Sequence, residues 1–222
     1  MASNFVAHGE GLAGVIHKPK FVYFDLGNVL LFFDHSLAAR SMAKVIGVDP
    51  DVIRRTVFDS QLQNGYERGE RSTREFVAIL EEQFGRPLCV DALKEAASDI
   101  FVPNANILPV LEKIRRMQIP MGLLSNTCEA HWEWILRMRY PQVLGWFDPI
   151  VLSYEVQRMK PEPEIYGVAT ELAGVAPVDI FFTDDRIENV EGAIAAGWQA
   201  SVFTSADRLM DLVTGWESPG EV

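Results

Sequence analysis

The chain has 222 residues, 48% of them hydrophobic, and a formal net charge of −11. That length can bury a real core but leaves no room for two large domains, so one domain with a substantial insertion is expected. The acidic balance argues against a broad nucleic-acid surface, because affinity for a polyanion comes mainly from Lys and Arg at phosphates.

Residues 1–20 hold Gly9, Gly11 and Gly14 without periodicity. They lack the basic start, apolar core and cleavage site of a signal peptide and read as a tail. The first apolar run, Phe21–Phe24, reads as a buried strand leading into Asp25. From Asp34 to Val102 no strand pattern is visible, and amphipathic helices are expected. Asp49-Pro50 is an N-cap followed by proline. Ser72-Thr73-Arg74-Glu75 is a capping box that puts Phe76, Ile79 and Leu80 on one face, and Leu93, Ala96, Ala97 and Ile100 form another stripe. Further strands are expected at Met121–Leu124, Ile150–Leu152, Ile180–Phe182 and Ala200–Phe203, alternating with helices. Pro161 is expected to open a helix that Gly174 stops, and Gly197 to end one running through Ala193–Ala196. This is the pattern of an α/β fold: a Rossmann-like parallel sheet core with an inserted α-helical domain. The expected organisation is a tail at 1–20, a core of 21–33 and 103–222, and a helical insert at 34–102.

No apolar run is long enough to span a bilayer, and no membrane partner is expected. Cytoplasm is the default address. The only cysteines, Cys89 and Cys128, are expected to be free thiols, with Cys128 a packing residue. A monomer or homodimer is expected.

Four separated segments deliver chemistry to one edge of such a sheet, where open parallel sheets bind ligands. Strand one leads into Asp25-Leu26-Gly27-Asn28, the second strand into Ser125-Asn126-Thr127, and the fourth into Thr183-Asp184-Asp185; Lys160-Pro161 precedes a helix. Asp25, Asp184 and Asp185 offer hard oxygen ligands of the kind Mg²⁺ takes. Three crowded carboxylates repel without a cation. Lys160 adds a point charge that can neutralise phosphate, and Ser125 a donor. Asp25 could then attack phosphorus as a nucleophile.

The segments Phe24–Leu30, Leu124–Thr127, Lys160–Tyr166 and Phe182–Asn189 resemble, in order, the four motifs of the haloacid dehalogenase superfamily. The resemblance covers Lys20 to Ala206, with the helical insert in the place of a cap. It is nearest to the branch of bacterial sugar-phosphate phosphatases, including those acting on alpha-D-glucose 1-phosphate. These share Asp-Leu-Gly-Asn, the Tyr66–Glu70 type of cap turn and the Asp-Asp start of the fourth motif. The resemblance implies a Mg²⁺-dependent phosphomonoesterase acting on a small phosphorylated metabolite. It implies Asp25 as nucleophile and metal ligand, the Gly27 carbonyl, Asp185 and Asp184 as further ligands, and Asn189 orienting a metal-bound water. Ser125, Asn126, Asn28 and Lys160 are then expected at the phosphate, with Asp25, Lys160 and Ser125 the catalytic set.

One position departs from the usual pattern. The second aspartate, which protonates the leaving oxygen, is here Gly27. Either the leaving group needs little acid help, or a cap group such as His35, Asp34 or Glu67, or a metal-bound water, supplies the proton. Otherwise the protein is a weakened relative that binds phosphate. A 2-haloacid dehalogenase is a further alternative, though its metal-free chemistry has no use for Asp184-Asp185, and a phosphomutase would need the missing aspartate. His8, His17, His35 and His131 show no metal-ligand spacing. Trp132 and Trp134 are expected to split between a packed and an exposed face, Tyr66 and Arg68 to belong to a packed cap turn, and Glu188 to be a first-turn helix acid.

Overall fold

The structure, a computed structural model, describes residues 16–217. Five parallel strands form the central sheet: β1 (Phe21–Phe24), β4 (Met121–Ser125), β5 (Ile150–Leu152), β6 (Ile180–Asp184) and β7 (Gln199–Val202), in the order β5-β4-β1-β6-β7. The five expected strands are present, and β4 and β6 run one to two residues further than their apolar runs, taking in Ser125 and Asp184. A second, antiparallel pair, β2 (Leu31–Phe33) and β3 (Phe101–Pro103), joins the two ends of the helical insert; the expectation of no strand between Asp34 and Val102 is corrected there.

The insert contains α1 (His35–Ile46), α2 (Pro50–Ile53), a π-turn at Arg54–Phe58, α3 (Gln61–Glu67), α4 (Thr73–Phe84) and α5 (Val90–Ser98). Its helix ends follow the sequence signals. Asp34, Asp49, Ser60 and Ser72 accept from first-turn amides, and Ser72 and Glu75 complete the capping box. Ala39, Met42 and Ile46 of α1, Phe76, Val77 and Leu80 of α4, and Leu93 of α5 enclose a core of their own.

The remaining helices flank the sheet: α6 (Leu108–Arg116), α7 (Glu129–Met138), α8 (Ser153–Val156), α9 (Pro163–Ala173), α10 (Ile187–Ala195) and α11 (Ala206–Thr214). Side-chain alternation along β1 splits the core in two. Val22 and Phe24 pack with α6, α7 and α11 on one face, Phe21 and Tyr23 with α9 and α10 on the other. Ile16 packs against the first of these layers, and the His17 N–H donates to Gln199 at 2.7 Å. The glycine-rich stretch of the expected tail lies outside the described residues.

Two local expectations are corrected. The helix α9 begins at Pro163, not Pro161. Glu162 precedes a proline, whose ring disfavours helical backbone at the residue before it, and it is accordingly extended with ψ 136°. Trp132 and Trp134 are both buried, because α7 lies against the sheet and also against α5 of the insert, which leaves it no free aromatic face.

Candidate active site

Asp25 stands one residue past β1. Its N–H donates to the Thr183 carbonyl at 3.0 Å, which sets it beside Asp184 at the end of β6. Lys160 reaches the same point from the loop before α9. Its ammonium donates to Asp25 Oδ1 at 2.6 Å, Asp184 Oδ2 at 2.6 Å and the Leu124 carbonyl at 2.9 Å. All three ammonium hydrogens therefore have an acceptor. Lys160 and Asp184 are 4% and 0% exposed, so this is a desolvated charge cluster and not a surface ion pair.

The surrounding amides brace it. Asn126 accepts from the Lys160 N–H and donates to the Lys160 carbonyl, both at 2.9 Å. Its side chain is thus engaged with the lysine backbone, and the residue also lines the cavity described below. Asn189 donates to both oxygens of Asp184 at 3.0 Å. Asp184 Oδ1 also accepts from the Arg186 N–H at 2.9 Å, so both oxygens of this carboxylate are held by protein donors. Asn28, in left-handed backbone at φ 55°, donates to Asp185 Oδ2 at 2.8 Å. Ser125 is buried beside the cluster and lines the cavity described below.

Burial pushes the Asp25 carboxyl up to about 7, against the pull of Lys160. For Lys160 burial acts downward, but Asp25 and Asp184 outweigh it and raise its pKa, keeping the ammonium charged. Asp25, Asp184 and Asp185 bring carboxylate oxygens within 4.8 Å of one another. One ammonium does not balance three carboxylates. An all-oxygen donor set with uncompensated negative charge fits a hard divalent cation such as Mg²⁺.

Above the cluster lies a cavity of about 370 Å³, within the roughly 300–1,000 Å³ usual for small-molecule sites. Its floor is Asp25, Ser125, Lys160 and Asp185; Asn64 and Glu67 of α3 and His35 of α1 face it from the insert. Three of its walls carry no signal in the sequence. Phe33 and Phe101 come from the antiparallel pair, and His131 from α7 stands edge-on to Phe101. None belongs to a motif, and a lone aromatic or histidine at such a spacing carries no signal. His35 lines the cavity with its ring between Phe33 and Phe58. Gly27 lies against Phe33: a Cβ at that position would sit 2.7 Å from the ring. Tyr66 and Arg68 belong to a packed turn, as expected. The Tyr66 hydroxyl receives the Ala130 N–H at 3.1 Å, and Arg68 makes a two-pronged pair with Glu162 at 2.5 and 2.9 Å. Cys128 is buried and free, Cys89 exposed and free. Glu188 sits in the first turn of α10, paired with Arg186.

Among the described residues, no helix is long and apolar enough to cross a membrane. A family model for haloacid dehalogenase-like hydrolases matches residues 19–197. The chain is 29% identical over 181 residues to the D-ribitol-5-phosphate phosphatase of Bacteroides thetaiotaomicron, covering 77% of this chain and 85% of that protein. It is 24% identical over 192 residues to the glyceraldehyde 3-phosphate phosphatase of Methanopyrus kandleri, covering 80% and 81%. Among solved structures, a haloacid dehalogenase-family enzyme of Bacteroides thetaiotaomicron in complex with magnesium and inorganic phosphate superposes with a TM-score of 0.73 at 28% identity, covering 83% of this chain and 93% of that one. With the fold, the ordered motifs and the match over most of its length in agreement, the chain belongs to the haloacid dehalogenase-like hydrolases.

Proposed function

We propose that the protein is a Mg²⁺-dependent phosphatase that removes phosphate from a small phosphorylated sugar or polyol through an aspartyl-phosphate on Asp25. The observation that carries this reading is the buried Asp25–Lys160–Asp184 cluster with Asp185 beside it, on the floor of a cavity of metabolite size. The phosphatase activities of the two relatives and the magnesium and phosphate bound by the solved family member support it.

Asp25, the Gly27 carbonyl and Asp185 are the groups assigned to the cation. Asp184, with both oxygens held by Lys160, Asn189 and the Arg186 N–H, serves chiefly to anchor the lysine. Mg²⁺, when bound, supplies positive charge that keeps Asp25 ionised and offsets charge on the phosphoryl oxygens. Asp25 attacks phosphorus as the bond to the leaving oxygen breaks, and water then cleaves the aspartyl-phosphate. The Lys160 hydrogens are already shared, so its part is to fix Asp25 in line and neutralise charge. The Ser125 hydroxyl donates to a phosphate oxygen. The polar groups Asn64 and His35 opposite the floor suit a hydroxyl-bearing leaving group.

A panel of sugar and polyol phosphates, assayed with Mg²⁺, with EDTA and with Asp25→Asn as control, tests this. Phosphate release that requires both Mg²⁺ and Asp25 is the expected result. Release that persists without either, or chloride release from a 2-haloacid without metal, would contradict it.

A further inference from the structure

Breaking the ester bond to an alkyl leaving group calls for a proton on the departing oxygen, and a group lining the cavity has to deliver it. The strand end that carries Asp25 offers none: residue 27 is glycine, and the Phe33 ring fills the space a side chain there would take. The Lys160 hydrogens are shared among three acceptors. His131 is pushed down to about 4 by burial and stays neutral near pH 7, and burial also lowers His35. Glu67 remains. It is the last residue of α3, and it lines the same cavity as Asp25.

The turn that carries Glu67 is pinned to the core. Its carbonyl accepts from Ser153 Oγ at 2.6 Å, the next residue, Arg68, is paired with Glu162, and Glu162 in turn accepts from the Met159 N–H at 3.1 Å beside Lys160. One carboxyl oxygen accepts from Gln63 Nε2 at 2.8 Å, its hydrogen-bond partner among the described residues.

We infer that Glu67 is the acid–base residue of this site, protonating the leaving oxygen from the cap side. The inference rests on the phosphatase reading above. In the first step the Asp25 oxygen bonds to phosphorus, the bond from phosphorus to the leaving oxygen breaks, and the Glu67 proton moves to that oxygen, releasing the alcohol. In the second, the water oxygen bonds to phosphorus, the Asp25–phosphorus bond breaks, and the water proton returns to the Glu67 carboxylate. Burial holds the Glu67 carboxyl up at about 7, so both forms are populated near neutrality. The charged and titratable groups facing it are Arg186 from the turn after β6, Cys128 before α7, His131 on α7, His35 on α1, and Asp25, Asp185 and Lys160 on the floor; Arg186 pulls its pKa down.

The test compares first-turnover and steady-state rates of the Mg²⁺-loaded full chain on p-nitrophenyl phosphate, phenyl phosphate and D-ribitol 5-phosphate. Nitrophenolate leaves without a proton. Glu67→Gln is therefore expected to keep the first turnover of the nitrophenyl ester close to wild type and then to turn over slowly. It is expected to lose roughly 10²–10⁴-fold on the ribitol ester, with phenyl phosphate between. The wild-type kcat/KM for the poorer leaving groups falls as pH rises past about 7, because the acid must be protonated, and Glu67→Gln lacks that limb. Glu67→Asp retains a carboxyl and is expected to restore part of the lost rate and the limb. An equal loss on all esters in the first turnover, no loss, or no rescue by aspartate overturns the inference while leaving the phosphatase reading intact. A wild-type protein that hydrolyses none of the three overturns both.

Discussion

With its hydrogens shared among Asp25, Asp184 and the Leu124 carbonyl, Lys160 supplies the positive charge that two buried carboxylates face. Lys160→Ala strands them, an effect of about 3–5 kcal/mol when one member of a buried pair is deleted. The expected result is a lower denaturation midpoint together with a loss of turnover of roughly 10²–10³-fold, the scale for removing one preorganised electrostatic group. A variant with near-normal kcat would remove the lysine from the chemistry. His131 gives a separate, pH-dependent signature. Its folded pKa, about 4, lies below the ordinary histidine value of 6.5 because burial disfavours the charged ring. As pH falls below 6.5 the unfolded chain takes up a proton that the folded chain refuses. Stability is therefore lost between about pH 6.5 and 4, by up to about 3 kcal/mol. Urea unfolding at pH 7 and pH 5 should show the loss, and His131→Gln should flatten it; an equally steep decline in that variant would assign the acid sensitivity to other groups. At this scale the site residues were legible, because Asp25, Ser125 and Asp184 lie at or just past strand ends and Lys160 lies in the loop before α9. Phe33 and His131 were not, because their place in the cavity comes from how the insert folds back over the sheet.

The turn between α3 and α4 joins the insert to the core. Gly69 has φ 75°, and a Cβ there would lie 2.1 Å from the Tyr154 carbonyl oxygen. Gly69→Ala must therefore shift the turn, and with it Glu67 and Arg68. Both left-handed strain and a backbone clash act against it, at about 1–3 kcal/mol each. We expect a thermal midpoint several degrees lower and a raised KM, whereas a variant indistinguishable from wild type in both would show that the turn is not held against the core. The helical insert was legible because capping boxes and 3.6-residue periodicity are local signals. The antiparallel pair was not: Leu31–Phe33 and Phe101–Pro103 are three residues each and apolar at every position although Phe32 and Val102 are exposed, so no alternation in the sequence marks them. The two prolines around Glu162 misplaced the start of α9. The rule that the second proline keeps Glu162 extended sets the boundary correctly and also frees Lys160 to reach back to the sheet edge.

Over the whole molecule, a parallel sheet presents its carboxyl edge to a helical layer inserted after its first strand, and the reactive groups collect where the two meet. The sheet supplies the carboxylates Asp25 and Asp184, held in place because they lie in or next to strands that pair on both sides, and Lys160 reaches them from the loop before α9. The insert supplies Asn64, Glu67 and His35, which line the cavity opposite the charge cluster. Asp25 is the residue proposed to carry the phosphoryl group. The most direct check is to mix the protein with Mg²⁺ and a turned-over phosphate ester, quench in acid within the first turnover, and locate the added mass by peptide mapping. One phosphoryl group is expected on the peptide that contains Asp25, absent from Asp25→Asn. Full phosphate release with no such species, or a phosphoryl group on any other residue, would contradict it.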